Sequence, residues 1–397
     1  MVRFDSRELA SDLAALETRH LLRQRRLVEG FPEPGDATLV RIDGRVLRNF
    51  CSNDYLGLSQ HPALIRAATD CMGRFGFGAG AAHLVTGHSY EHHALEEELA
   101  AFTGRERALL FSSGYLANLG VISALADRHD WILADRANHA SLLDGARLSG
   151  AQLKRYAHGD AAAAERALAA QARSAPLIVT DGVFSMDGDI APLAALAALA
   201  ARHGGALMVD DAHGLGVIGA GGGGALEQAG LDAQAVPLLV GTLGKAFGSF
   251  GAFVAGSSAL IELLIQRART YIYTTALPPA LAAATRAALR LARNESWRRE
   301  RVDTLVRRFR AAAATLGLPL LPSSTPIQPL IVGDAAGALA LSEALLQAGF
   351  CVAAIRPPTV PAGSSRLRIT LSAAHREQDV DALAQTLARL WRARSAA

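Results

Sequence analysis

The 397-residue sequence predicts an α/β protein: a mostly parallel seven-stranded sheet sandwiched by helices, a smaller C-terminal α+β domain and an N-terminal helical arm. Three observations predict it. Short apolar runs at 108–111, 131–134, 152–156, 177–180, 206–209, 238–241 and 252–255 alternate with helical stretches. Those runs are apolar at successive positions, which is the pattern of strands covered on both faces. The connectors 161–172 and 192–203 are Ala/Leu-rich and long enough to cross over between parallel strands.

The elements follow in chain order. Residues 6–28 carry Leu9, Leu13, Leu16 and Leu21 at helical spacing and end in Arg23, Arg25 and Arg26. Pro32, Pro34, Gly35 and Gly44 make 30–44 a linker with a small strand hairpin. Strands and crossovers fill the middle of the chain. Pro278 and Pro279 then open a helical region reaching about residue 316. A proline-rich break precedes a strand at 330–332, a helix at 336–348, strands at 352–355 and 367–371, and a helix at 377–393. The expected divisions are 1–50, a large domain 51–285 and a C-terminal domain 286–397.

Composition narrows the function classes. Half the residues are hydrophobic and 19% are charged, so burial can offset ordering entropy and disorder is excluded. A formal charge of +3 over this length leaves no footprint for nucleic acid or an anionic membrane. Three cysteines, Cys51, Cys71 and Cys351, form no CxxC pair and argue against a disulfide framework or a zinc ribbon. Charged residues through 1–13 leave no signal-peptide core, and 247–261 is too short and Gly/Ser-rich to span a bilayer. The expectation is a soluble, cytoplasmic protein. Among 40 basic residues only Lys154 and Lys245 are lysines, so chemistry that needs a primary amine has two candidates.

Three motifs look functional and fail on context. Gly214, Gly216 and Gly219 satisfy GxGxxG, yet the glycines at 221–224 follow at once where a dinucleotide-binding helix should begin. The run from Gly241 to Lys245 resembles the end of a P-loop, but the spacing is wrong and Ala246 stands where a magnesium-binding hydroxyl belongs. His88, His92 and His93 lie near Glu91, but the spacing is not H-E-x-x-H, and a cap or solvated helix face explains them better than zinc. No metal is expected.

The chemistry concentrates at strand ends. Lys245 follows an apolar strand in a small-residue loop with no acidic residue within six positions, so desolvation should make its amine a nucleophile. Lys154, beside Arg155, reads as a surface charge. Asp210 ends a buried strand with His213 three residues on, at the edge where open α/β sheets bind ligands. A buried carboxylate needs a cation, and a pyridinium nitrogen would serve, although a turn-capping role explains Asp210 equally well on its own. Asp181 and Ser185, then His139 and Ser141, follow two further strands. Ser113, Gly114 and Tyr115 open a helix whose first amides suit a phosphate. An amine, a carboxylate and a phosphate cradle together are what pyridoxal phosphate (PLP) requires.

These segments, with Ser52-Asn53-Asp54-Tyr55-Leu56-Gly57 and Thr242-Leu243-Gly244-Lys245, resemble the α-oxoamine synthases. Those are fold-type I PLP enzymes that condense an amino acid with an acyl-CoA and release carbon dioxide. The likeness runs from about Leu16 to the C-terminal helix. The segment 354–363, followed by Arg366 and Arg368, is most similar to the branch that joins L-alanine to pimeloyl-CoA or a pimeloyl-carrier protein in biotin synthesis. Two other readings stand beside it, a glycine-using member and a catalytically silent subunit of the same fold.

The resemblance implies a role for each matching position. Lys245 would hold PLP through a Schiff base and move the proton at the amino acid's α-carbon. Asp210 would pair with the pyridine nitrogen, His213 would bond the phenolic oxygen, and His139 would stack on the ring. Gly114, Tyr115 and Thr242 would bind the phosphate side, with Ser185 near the ring oxygen. Arg368 would take the alanine carboxylate and Asn53 would lie near the substrate. Arg23, Arg356 and Thr359 would contact the acyl donor. Thr274 and Thr275 would reach the phosphate of a second subunit in a homodimer. Asp181 is left without a role.

Overall fold

The computed structural model describes residues 5–171 and 175–396. The first positions of the stretch read for a leader, and residue 172 of the expected helix 161–172, lie outside them. The chain divides into two units. The first comprises the described residues of Met1–Asn53, Met186–Gly188 and Arg301–Ala397, and the second is Asp54–Ser185 with Asp189–Glu300.

The first unit begins with helix α1, Ser6–Thr18, capped by the Asp5 carboxylate on the amide of Arg7. The sequence predicts a helix continuing to residue 28, and that is corrected here. His20 takes a left-handed φ of 56°, and the amides of Leu21 and Leu22 both return to the Leu16 carbonyl. That turn satisfies the terminal carbonyls and leaves Leu21 off the helical stripe. Strands β1 (Val28–Gly30), β2 (Leu39–Ile42) and β3 (Arg45–Asn49) follow as an antiparallel meander. The β2–β3 turn is Asp43-Gly44 with both φ angles positive, 50° and 70°, the combination a two-residue hairpin needs.

The second unit carries the seven-stranded sheet. After helices α2 (Pro62–Phe75) and α3 (Tyr90–Thr103), strands and helices alternate until the last two strands of the sheet, which follow one another without a helix between. The chain runs β4 (Arg107–Phe111), α4 (Gly114–Leu125), β5 (Trp131–Asp135), α5 (Ala140–Ser149), β6 (Gln152–Tyr156), α6 (Ala161–Ala169) and β7 (Leu177–Asp181). It continues with α7 (Leu193–Arg202), β8 (Ala206–Asp210), α8 (Gly224–Gln228), β9 (Leu238–Thr242) and β10 (Ala252–Gly256). The order across the sheet is β4-β10-β9-β8-β7-β5-β6, with only β10 antiparallel to its neighbours. All seven expected strands are present, and six carry continuous apolar runs that are buried: Ile132, Val179, Met208, Val240 and Val254 have almost no exposed surface. The exception is the edge strand β6, Gln152-Leu153-Lys154-Arg155-Tyr156, where the sequence predicts an apolar run but the strand is polar and buries only Tyr156. Each fully buried aliphatic side chain of this size contributes about 1.5–3 kcal/mol. The parallel pairing has one consequence for function. Phe111, Asp135, Asp181, Asp210 and Thr242 all end strands at the same edge of the sheet.

The predicted helical region after Pro279 is two helices, Pro279–Asn294 and Trp297–Thr315, parted where Glu295 leaves helical geometry and its carboxylate accepts from Arg298. The first unit resumes at Arg301 within the second of these helices and continues with β11 (Ile327–Gly333), a helix Ala335–Gln347, β12 (Phe350–Cys351), β13 (Ala353–Ile355) and β14 (Ser365–Thr370). The strand predicted at 352–355 is a crossing between two sheets. β12 pairs parallel with β3, whereas β13 joins β11 and β14, and the Ser342 hydroxyl holds the Val352 carbonyl at the break. Among the described residues no helix is long and apolar enough to cross a membrane.

One polar clamp secures the catalytic edge of the second unit. His158, just beyond β6, sits 3.0 Å from Asp135 on one ring nitrogen and 3.0 Å from Asp189 on the other. Its ring packs edge-on against buried Phe184 at 4.4 Å. Hydrogen bonds to both carboxylates raise its pKa to about 10 from 6.5, outweighing desolvation. A raised pKa stabilises the fold fully below the unfolded value and loses that contribution as pH climbs through 10. The thermal midpoint of wild type should therefore exceed that of His158→Ala most at pH 6, with the gap closing between pH 7 and 10 in a melting series. A gap independent of pH would mean that packing on Phe184, not charge, is what His158 supplies.

Candidate active site

Lys245 stands three residues past β9, in a loop closed by the Gly248 amide on its own carbonyl and the Ser249 amide on the Leu243 carbonyl. Gly248 has φ 60° and lies against the backbone of Leu58 and Ser59, so any side chain there would collide with it. The tight loop turns the Lys245 amine toward β8, where Nζ lies 2.8 Å from His213 Nε2. His213 Nδ1 is in turn 2.6 Å from the hydroxyl of Tyr55, which is fully buried. A neutral imidazole accepts at one nitrogen and donates at the other. When ammonium Lys245 donates to Nε2, His213 therefore donates from Nδ1 to the Tyr55 oxygen.

Asp210 ends β8, 5% exposed. Its carboxylate accepts from Asn118 Nδ2 at 2.6 Å and from the Ala212 amide at 3.1 Å. Asn118 also donates to Ser141 at 2.9 Å, and Ser141 meets His139 Nδ1 at 2.8 Å. One network thus joins the ends of β8 and β5 through α4. Asp181, left without a role by the sequence, accepts the backbone amide of His139 at 2.7 Å. Burial first, then the neighbouring charge of Asp210, pushes the Asp181 pKa well above the usual carboxylate range. His139 is exposed, and desolvation holds its pKa below the ordinary imidazole value.

Asp211 is fully buried, with its pKa raised to about 7 chiefly by burial. It caps α8 through the Ala225 amide at 2.6 Å. A Cβ on Gly182, Gly214 or Gly224 would strike its carboxylate, which is why the GxGxxG lookalike is a loop wrapped on Asp211 and not a helix start. His92 is likewise structural. It completes a capping box with Ser89 and its Nε2 lies 2.7 Å from the Leu277 carbonyl.

At the start of α4, Ser113 caps the Leu116 amide at 3.2 Å, leaving the Gly114 and Tyr115 amides in the first turn. Space above Gly114 is open, with nothing within 4 Å of a hypothetical Cβ. The Tyr115 hydroxyl donates to Asp144 at 2.5 Å, and its ring stands 6.5 Å from that of His139. Thr242 donates to the Gly251 carbonyl at 3.1 Å, and Ser185 is half-buried after β7. Thr274 and Thr275 belong to a separate stretch of this unit, where Thr275 bridges Ala82. Lys154 reaches only the Ala167 carbonyl, at 3.4 Å. The donor set fits PLP: an amine for the aldehyde, a buried carboxylate for a protonated ring nitrogen, and a helix start for a phosphate. The Asn118 Oδ1 is also buried without a protein partner, so this edge is built with unused polar capacity.

In the first unit, Arg368 on β14 donates to Asn53 and to Thr370, each at 3.0 Å. Arg366, on the same face two residues earlier, pairs with Asp187. Arg23 donates to Thr359 at 3.3 Å, Arg26 is committed to Glu343 at 3.1 Å, and Arg356 holds the carbonyls of His20 and Leu22. Tyr55 and Asn118 carry no role in the sequence reading. Asn118 was findable: it is a lone amide in an otherwise apolar helix, one turn after the phosphate-binding start.

Comparison with known proteins bears on this geometry. Residues 46–387 match the family model of class I and II aminotransferases. The chain is 62% identical over 379 residues to an 8-amino-7-oxononanoate synthase of Methylococcus capsulatus, covering 96% of this chain and 97% of that protein. The chain belongs to the 8-amino-7-oxononanoate synthase family. The relative from Alkalilimnicola ehrlichii in the same family is 59% identical, covering 96% and 97% of the two chains. A serine palmitoyltransferase from S. paucimobilis, solved with a bound PLP–myriocin adduct, superposes with a TM-score of 0.92 at 29% identity, covering 99% of this chain and 98% of its own. The fold-type I architecture expected from sequence is thereby established for this family member.

Replacing Asn118 by Ala removes a donor from a buried charged acceptor, a change worth about 1–3 kcal/mol. The dissociation constant for PLP, read by visible-absorbance titration of the apoenzyme, should rise about 5- to 150-fold. An unchanged constant would remove Asn118 from the site.

Proposed function

We infer that the chain is a PLP-dependent acyltransferase that condenses L-alanine with pimeloyl-CoA or a pimeloyl-carrier protein. The products are 8-amino-7-oxononanoate, the free thiol and carbon dioxide. The observation that carries this reading is the Lys245 amine 2.8 Å from His213, on the strand beside buried Asp210, in a chain 62% identical to such a synthase. When bound, PLP supplies an aldehyde for the amino group and a protonated ring that withdraws electrons from the α-carbon.

The residues divide the remaining work. Lys245 holds the cofactor between turnovers, then takes the α-proton and later returns it. Asp210, oriented by Asn118, keeps the ring nitrogen protonated. The Tyr55 hydroxyl can accept from or donate to His213 Nδ1, so with Lys245 engaged elsewhere Nε2 would carry the proton and donate to the phenolic oxygen. His139, braced by Ser141 and Asp181, stacks on the ring. Gly114, Tyr115, Thr242 and Ser185 hold the phosphate and ring-oxygen side.

Arg368 suits the alanine carboxylate because a guanidinium matches two carboxylate oxygens, and Asn53 orients that guanidinium. Loss of carbon dioxide needs the breaking bond held roughly perpendicular to the conjugated plane, which is a positioning task. Arg23, Thr359 and Arg356 are assigned to the acyl donor, and Thr274 and Thr275 to the phosphate of a second copy in a homodimer.

Incubation with alanine or glycine and several acyl thioesters, with products weighed by mass spectrometry, tests the reading. Turnover of alanine with a pimeloyl thioester is expected, and glycine in its place with another acyl group would overturn it. Lys245→Ala should lose the absorption band of the lysine-bound cofactor together with activity. Arg368→Lys should raise KM for alanine about 10- to 100-fold, the cost of losing a charged hydrogen-bond pair.

A further inference from the structure

The two half-buried cysteines of the first unit lie together although 300 residues apart in sequence, with Cys51 Sγ 3.6 Å from Cys351 Sγ. The fold brings them there by backbone pairing. β12 runs parallel to β3, and the Phe50 amide donates to the Cys351 carbonyl at 2.9 Å. The Cys51 amide is tied to the Asn49 side chain at 3.1 Å, so both thiols are anchored at a sheet end. They are chemically unequal. Contact with Cys51 and the nearby Arg26 guanidinium bring the Cys351 thiol down to about 7, against the desolvation that opposes this, while Cys51 is pushed up. One sulfur is thus a ready nucleophile at neutral pH and the other its adjacent resolving thiol. Cys71 belongs to the second unit and is buried on α2.

We propose that Cys51 and Cys351 form a redox-active dithiol that low-molecular-weight disulfides of the glutathione type close reversibly to an intramolecular disulfide. The Cys351 thiolate attacks one sulfur of the small disulfide and expels a thiolate, which takes a proton. Cys51 then gives up its proton and attacks the Cys351 sulfur of the mixed disulfide, expelling the second thiolate. The protein loses two electrons and two protons, and the small disulfide gains them as two thiols. The bridge would anchor the chain immediately before Ser52 and Asn53. Asn53 accepts from Arg368 at 3.0 Å, so oxidation bears on the guanidinium assigned to the amino acid carboxylate.

The test uses PLP-loaded enzyme equilibrated in glutathione buffers of graded ratio, followed by thiol counting and peptide mapping without reduction. Oxidised enzyme should retain one titratable thiol of three, Cys71, and yield a single Cys51–Cys351 peptide pair lighter by two hydrogens. Excess reduced glutathione should restore all three thiols. Cys351→Ser should react with oxidised glutathione at least about tenfold more slowly at neutral pH, because the acidified thiol is gone. Cys51→Ser should stop at a stable mixed disulfide on Cys351. Three free thiols throughout, a mixed disulfide in wild type that never closes, or a bridge involving Cys71 would each overturn the proposal.

Discussion

A carboxyl group sealed inside a protein must either keep its proton or be matched to a cation, and the second unit seals four at neighbouring strand ends: Asp135 is matched to His158, and three others lie together. Asp181 and Asp210 face each other in register across the β7–β8 pair, and Asp211 follows directly. Three negative charges at that spacing would be untenable. The structure separates them by environment. Asp181 and Asp211 lie where burial favours the protonated form, and they serve as braces for His139 and for the α8 loop. Asp210 alone is given a side-chain amide and a backbone amide as donors, and it is the one we assign to the cofactor's ring nitrogen. The positions of His139 and of the glycine loop follow from how these groups are accommodated.

The amine is handled by the same logic. Lys245 leaves β9 on a turn that only glycine at 248 permits, and its amine lies 2.8 Å from the His213 imidazole. An amine that leans on an imidazole can hand over its proton. Behind that imidazole, the buried Tyr55 hydroxyl completes a three-membered relay. The first unit contributes a different kind of chemistry. There Arg368 and Arg23 donate to neutral oxygens of Asn53, Thr370 and Thr359.

Much of this was legible in the sequence, because buried parallel strands leave an unbroken apolar signature and their chemistry falls immediately after it. Lys245, Asp210, His213 and His139 became candidates that way. What escaped were residues whose role depends on contacts between distant segments. Tyr55 precedes His213 by 158 positions, and Asn118 reaches Asp210 across 92. Leu21 looked helical because spacing alone does not register the left-handed turn at His20. The stretch around Val352 read as one strand, since periodicity cannot tell that adjacent residues pair with different sheets.

The scarcity of lysine acquires a practical meaning once the two are located. Lys154 lies on an outer strand with its amine near a backbone carbonyl, and Lys245 sits at the cofactor edge. Arginine can replace lysine on a solvated surface but cannot form an imine, because its guanidinium stays protonated. Amine-directed reagents therefore meet few competitors on this protein: besides Lys245 there is one lysine side chain, Lys154, and the α-amine, whose lower pKa sets it apart. Acylation or reductive alkylation becomes an active-site titration, in which protection of a single side chain reports how much of the preparation is loaded. A protein whose composition has shed nearly every other amine carries, in effect, its own built-in occupancy gauge.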